Sequence, residues 1–351
     1  MVLSVALVVA ACGKSADEGS GTSTSGAKSA ASDKKVALII AQGGLGDKSY
    51  NDLANSGFKS AVEKTGVQGR PIESNDVVAQ AQPILERATQ SGFGLVIDLE
   101  FSHADTLKKV AAAHPNTQYA LINAPVPGKN VTSVLFQEQE GSYLAGVLAA
   151  AMTTDTKDPR INAKPIIGVI GGTKSTGIDK FLVGYIQGAK ATNPKVKVLT
   201  AYSNDFGDPT KGKQIAESMY DRGADIIYQV AGGTGAGVIE AAKDRKRYAI
   251  GVDTDQDGLA PGAVLTSMVK RTDLAVARLV EEDAAGRLRG GQTLNLGLKD
   301  NGVGLSPMKY TKKDIPPDTL TKVDDAKQGI IDGKIKVWNV IDQGYPSFYK
   351  P

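Results

Sequence analysis

Three short stretches hold residue types that can grip a ligand, and each begins where an apolar run ends. The first, GGLGDKSYND from Gly43 to Asp52, packs glycines, acids and a tyrosine between an apolar run and an amphipathic segment. A loop in that place offers a ligand the N-terminus of a helix, where backbone N–H groups point outward. No Lys-Ser or Lys-Thr pair closes the loop, so it is not a Walker phosphate cradle. Asp47 and Ser49 suit N-cap positions, and capping alone accounts for them. Tyr50 has two readings: a ring protruding into a cleft above the strand ends, or a hydrophobic staple over the helix start.

The second stretch, QVAGGTGAGVIEAAKD from Gln229 to Asp244, imitates a dinucleotide fingerprint, with Asp253 at the end of the next apolar run. The spacing fails, because counting from Gly233 puts Val238 where the last glycine belongs. What remains is a glycine-rich turn whose N–H groups can approach a ligand, with tight helix packing as the alternative for Gly235 and Gly237. The third, GVDTDQDGLAPG, copies half a calcium loop through Asp253, Asp255, Asp257 and Gly258, yet its twelfth position is Val264 instead of a bidentate Glu. An acid at a strand end accepts hydrogen bonds from ligand hydroxyls, and Asp253 is the candidate for that task.

Other chemistry has few residues to work with. Two histidines and one cysteine leave little for His/Cys metal sites or disulfides. His103 and His114 fall before and within a surface-helix pattern, and no Ser or Cys sits on a G-x-S-x-G elbow. The formal charge of +3 is small and spread along the chain, so no nucleic-acid footprint is expected. Binding without turnover, cofactor or metal is the expectation.

These residues need a frame. A chain of 351 residues, 41% hydrophobic and 23% charged, suits a soluble protein of two domains. From Lys35 onward, short Val/Ile/Leu-rich runs such as KVALIIA, FGLVIDLE and QYALINA alternate with longer amphipathic segments. That is the pattern of parallel strands linked by helices in a doubly wound sheet. The alternation restarts after the polar stretch Thr153 to Pro165, which predicts two α/β lobes. Strand-like QTLNLGL and KIKVWNVI return late, and hinges are expected near residues 155, 270 and 290. The division is residues 35–155 plus about 271–290 for the N-terminal lobe, and 156–270 plus about 291–351 for the C-terminal lobe. Ligands of open α/β sheets bind beyond the carboxyl ends of the strands, so the expected site is the cleft between the lobes.

Residues 1–12 form an apolar run ending in Ala10, Ala11 and Cys12. It is too short to cross a bilayer, which takes about 20 apolar residues, and reads as an export signal. It resembles a bacterial lipobox with Cys12 as the lipidation site, although no Lys or Arg follows Met1. Residues 13–34 then form a Gly/Ser/Ala/Lys tether. The expected location is the cell membrane, lipid-anchored on its extracytoplasmic face.

Several segments together resemble one family. GGLGDKSYND, NVTSVLFQEQEGSYLAGVLAAAMT, IGVIGG, the long stretch from Asn193 to Lys243, IGVDTDQDGLAPGAVLTSMVKR and LGLKDNGVGL are similar to the basic membrane protein family of lipoproteins, substrate-binding proteins of ABC importers. The resemblance runs from about Lys35 to about Leu305 and implies a type I periplasmic-binding-protein fold of two Rossmann-like lobes joined by hinge crossovers. It further implies a nucleoside ligand, most readily a purine nucleoside, permease and ATPase subunits as partners, and a monomer. Carried over by motif, Tyr50 and Phe206 would stack on the two faces of the base, with Asn51 beside the first ring. Gly232, Asp253 and Lys270 would hold the ribose. Ala41, followed by Gln42, and Asn123 stand where many relatives carry acids around the base; Gln42 and Asn123 are counted as ligand-binding, since an amide both donates and accepts. A surface sensor or adhesin using the same cleft is the alternative, and a nucleoside hydrolase a third reading.

Overall fold

The computed structural model describes residues 33–349; the expected signal, Cys12 and most of the tether lie outside them. Runs rich in Val, Ile and Leu become strands buried on both faces: β1 (Lys35–Ile39), β3 (Leu95–Asp98), β4 (Gln118–Ile122) and β5 (Val131–Phe136). With the edge strand β2 (Gln68–Ile72) and the returning β11 (Gln292–Leu296), they form a six-stranded sheet ordered β11-β5-β4-β3-β1-β2, parallel throughout. Helices α1 (Tyr50–Thr65), α2 (Ala81–Gln90) and α3 (Ala104–Ala113) provide the crossovers that parallel neighbours require. Helix α8 (Thr272–Ala284) packs against α1.

The second lobe repeats the scheme with β6 (Ile166–Gly171), β7 (Lys197–Tyr202), β8 (Ile226–Val230), β9 (Tyr248–Asp253), β10 (Val264–Lys270) and β12 (Val303–Leu305). Their order is β12-β10-β9-β8-β6-β7, and only β12 runs antiparallel. Around it stand α4 (Glu138–Met152), α5 (Thr176–Thr192), α6 (Pro209–Asp221), α7 (Gly235–Asp244), α9 (Pro317–Ile331) and the short α10 (Val340–Gln343). Helix α4 is apolar nearly all round and almost wholly buried, as a helix in the middle of a core must be. It meets α5 at glycines: a Cβ on Gly146 would lie 2.1 Å from the Tyr185 carbonyl oxygen, and one on Gly188 equally close to that of Tyr143.

The first and last lobe boundaries differ from the expected ones, and the middle one falls where expected. Strand β5 belongs to the first sheet and α4 to the second lobe, so the chain crosses at Gln137. The later crossings fall at Arg271 and along 297–302, because β11 joins the first sheet and β12 the second. The polar stretch after α4 is a loop inside the second lobe. Arg160 there pairs with Asp158 and Asp314, and the Tyr248 hydroxyl donates to Asp158. KIKVWNVI forms no strand; its backbone is held by the Gln187 amide, which donates to the Lys336 carbonyl and accepts from the Trp338 N–H.

In each sheet the first strand is flanked on one side by the second strand of its lobe and on the other by the third. Such a reversal opens a crevice at the carboxyl end of that strand. The loops after β1 and β6 therefore face each other where a ligand site is expected.

Candidate functional site

The loop after β1 is shaped by its glycines, with Gly43, Gly44 and Gly46 all at positive φ, a region open to Gly at little cost. Asp47 caps α1 by accepting from the backbone N–H groups of Ser49, Asn51 and Asp52 at 2.9–3.1 Å. Ser49 makes no cap hydrogen bond of its own. Its hydroxyl instead crosses to the other lobe and donates to Asp253 Oδ2 at 2.7 Å. The Lys48 carbonyl likewise accepts from Gln256 Nε2 at 3.0 Å, so this loop ties the lobes together over the cleft.

Between the lobes lies a cavity that, with its opening to solvent, holds about 740 Å³ of empty space. All eight of the expected ligand-binding residues line it: Gln42, Tyr50, Asn51, Asn123, Phe206, Gly232, Asp253 and Lys270. Tyr50 comes from the first turn of α1 and Phe206 from the loop after β7, and Phe101 and Phe181 add a further ring from each lobe. Gly172 makes room for the second ring, since a Cβ there would lie 2.1 Å from Phe206 Cε1. The Tyr50 hydroxyl donates to the Leu99 carbonyl at 3.0 Å and accepts from Asn123 Nδ2 at 2.9 Å. The Tyr50 ring lines the cavity and also packs against the main core.

Asn51 is buried with its amide committed to backbone: Oδ1 accepts from the Ala41 N–H and Nδ2 donates to the Gln42 carbonyl. It therefore fixes the end of β1. The Gln42 amide donates to Glu100, whose carboxylate also accepts from the Gln42 and Ser102 backbones. Beneath this wall, Asp98 accepts from the Glu100 N–H and from His103 Nδ1, while His103 Nε2 lies 2.7 Å from the Val77 carbonyl. His103 is thus a buried brace under the site, contrary to the surface-helix pattern of the sequence, because the short turn after β3 folds it inward.

The far end of the cavity is charged. Glu138, in the first turn of α4, pairs with Lys180 at 2.5 Å and Lys270 at 2.8 Å, and these side chains are no more than 5% exposed. Lys180 also donates to the Phe136 carbonyl. Burial works to raise the Glu138 carboxyl, but the two lysines outweigh it and hold it below its ordinary value. The Lys270 ammonium stands 5.2 Å from the centres of the Tyr50 and Phe136 rings, within cation–π range. Asp253 ends β9 with φ +65°. Burial pushes its carboxyl up to about 6, against the pull of Lys270 and Ser49. The sequence reading passed over Glu138 and Lys180. The available signal was a charged residue beside the apolar face of a helix, in FQEQE and IDKFLV.

The other motifs are structural. A Cβ on Gly237 would lie 1.7 Å from the Pro209 carbonyl oxygen, so that glycine serves helix packing, and Gly235 lies against the Gln229 side chain. Gly232 has φ +54° and borders the cavity. Asp257 is engaged by Ser267, Ser306 and the Lys309 N–H, while Asp253 turns to Ser49 across the cleft. Among the described residues no cluster of His, Cys, Asp and Glu could hold a metal ion.

Two α/β lobes closing on a cavity walled from both sides define a solute-binding protein of the type I periplasmic class. The pattern of the ABC transporter substrate-binding proteins described as PnrA-like matches residues 34–339, and the chain belongs to that family. It is 34% identical over 358 residues to the CD4+ T-cell-stimulating antigen of Listeria innocua, with 96% of each chain covered. To the ABC transporter nucleoside-binding protein BmpA of Lactococcus lactis it is 33% identical over 326 residues, covering 87% of this chain and 89% of that one. An ABC transporter solute-binding protein from Aeropyrum pernix K1 superposes with a TM-score of 0.82 at 30% identity, over 87% of this chain and 93% of that one. Membership makes this chain a non-enzymatic small-molecule receptor that works with a permease and an ATPase at the outer face of a membrane. No helix among the described residues is long and apolar enough to cross that membrane.

Proposed function

We propose that the cleft binds a nucleoside, with the base between Tyr50 and Phe206 and the ribose toward Asp253 and Lys270. The observation that carries this reading is the make-up of the cavity wall: aromatic rings from both lobes, Tyr50 and Phe206 among them, beside a buried carboxylate and ammonium. A base has two π faces, and stacking contributes about 1–3 kcal/mol per base in nucleic-acid-binding proteins. Vicinal ribose hydroxyls donate well to a carboxylate, and a charged partner strengthens such bonds. The resemblance to a relative named as nucleoside-binding supports the same assignment. A purine nucleoside is the favoured ligand.

One chain supplies both walls of the site, which agrees with a monomeric receptor. Cys12 is the proposed lipid attachment point, checked by radiolabelled palmitate incorporation that Cys12→Ser abolishes. The deciding experiment for the ligand is mass spectrometry of small molecules released from freshly purified, denatured protein, followed by calorimetry with purine and pyrimidine nucleosides. A released sugar or amino acid, with no nucleoside affinity, would overturn the assignment.

A further inference from the structure

Asn123 follows β4 with its backbone at φ +76°, a left-handed conformation that Asn adopts more readily than most residues. Its Nδ2 donates to the Tyr50 hydroxyl at 2.9 Å. Its Oδ1 is buried, and no donor among the described residues reaches it. Heavy-atom positions alone rarely tell the two ends of an amide apart, but here the neighbouring groups decide. The Leu99 carbonyl, 3.0 Å from the Tyr50 hydroxyl oxygen, can only accept, so the single phenolic proton is directed there. The Tyr50 oxygen is left as an acceptor toward Asn123, and only an NH₂ group can face it. Turned about, the amide would set oxygen against oxygen.

We propose that the Tyr50 hydroxyl is a positioning group that locks the Asn123 amide as a one-way acceptor, so that the site selects a base whose edge donates an N–H. The proposal rests on the nucleoside reading above and specifies which nucleosides that site takes. Burial, the foremost influence on Tyr50, holds its phenol far above the ordinary value, so the proton that sets this polarity is retained. Glu100, from the same lobe, adds a carboxylate to the cavity wall and strengthens its acceptor character. A 6-oxopurine offers a ring N–H to such a wall. Unsubstituted purine offers ring nitrogens that only accept, which would leave lone pairs opposed and Oδ1 unpaired. A site built to meet a donor rejects an analogue lacking it far more strongly than a merely apolar site can.

Calorimetry with inosine and purine riboside, at pH 8, tests this on the full chain. The native protein is expected to bind inosine at least tenfold more tightly than purine riboside. Tyr50→Phe keeps the ring but frees the amide to turn, and the preference should shrink at least fivefold. Adding Asn123→Asp to that variant supplies a carboxylate with no donor end, and the preference should return to within threefold of the native ratio. A native preference under tenfold, a smaller change in Tyr50→Phe, or no recovery in the double variant each overturns the proposal. If the native protein binds neither nucleoside, the nucleoside reading itself falls and takes this proposal with it.

Discussion

The two ends of the cavity are built on opposite principles. At one end Glu138, Lys180 and Lys270 are fully desolvated charges that satisfy one another. At the other, Tyr50 and Asn123 are neutral and joined by one hydrogen bond with an acceptor left over, and Gln42 bonds to the Glu100 carboxylate. The charged end is part of what holds the second lobe together, so damage there registers first as lost stability. The other end carries the groups that meet a base, and damage there registers as changed binding.

The largest effect should come from Glu138→Gln, which leaves two buried ammonium groups facing a neutral amide. Breaking a buried pair by removing one partner typically costs about 3–5 kcal/mol, read here by urea unfolding. A loss under about 1 kcal/mol would erase the distinction between the two ends. Next, Tyr50→Ala or Phe206→Ala should weaken nucleoside binding about tenfold or more, equivalent to about 1.4 kcal/mol. Unchanged calorimetric affinity in both variants would remove the stacking model.

A smaller effect sharpens the comparison through pH. The folded-state value of Asp253, about 6, stands above its ordinary 3.8 chiefly through burial. Its contribution to stability is therefore present in full below the unfolded value and is lost as pH rises through about 6. Ribose hydroxyls favour the ionised carboxylate, so affinity should move the opposite way and be about two- to fivefold tighter at pH 7 than at pH 5. Asp253→Asn should flatten that profile, and a profile unaffected by the substitution would separate the ribose from Asp253. The smallest effect is expected for Gln42→Ala. Its side-chain bonds to Glu100 are long, at 3.3–3.4 Å, and a change in affinity of about threefold or less is expected. A tenfold loss would give Gln42 a direct ligand contact.

Much of this architecture can be read from residue order. The Val/Ile/Leu runs announce buried parallel strands, and Tyr50 and Asp253 attract notice because they follow such runs. Strand β2 escapes the same reading because Gln-Gly-Arg-Pro-Ile is an exposed edge, where Pro is tolerated and no apolar pattern is required. Residue order assigns helix α4 to the N-terminal lobe and the structure places it in the second, since a helix buried on every side has no polar face to show which way it turns. Charged residues beside apolar helix faces hint at Glu138 and Lys180, but nothing local pairs them with Lys270. The three come from α4, α5 and the end of β10 and meet only after the chain has crossed between lobes. Asn51 and Ser49 show the converse: one side chain next to a suspected contact anchors backbone, while another expected only to cap reaches the opposite lobe.

Glu138 directly follows the first crossing at Gln137, and Lys270 directly precedes the second at Arg271. Their 2.8 Å bond therefore fastens two of the connecting segments side by side. Rotation displaces each atom in proportion to its distance from the pivot, so parts beside these segments travel least. A receptor hinged in this way can swing its aromatic jaws apart to release cargo while the ionic clasp at the root of the lever stays shut.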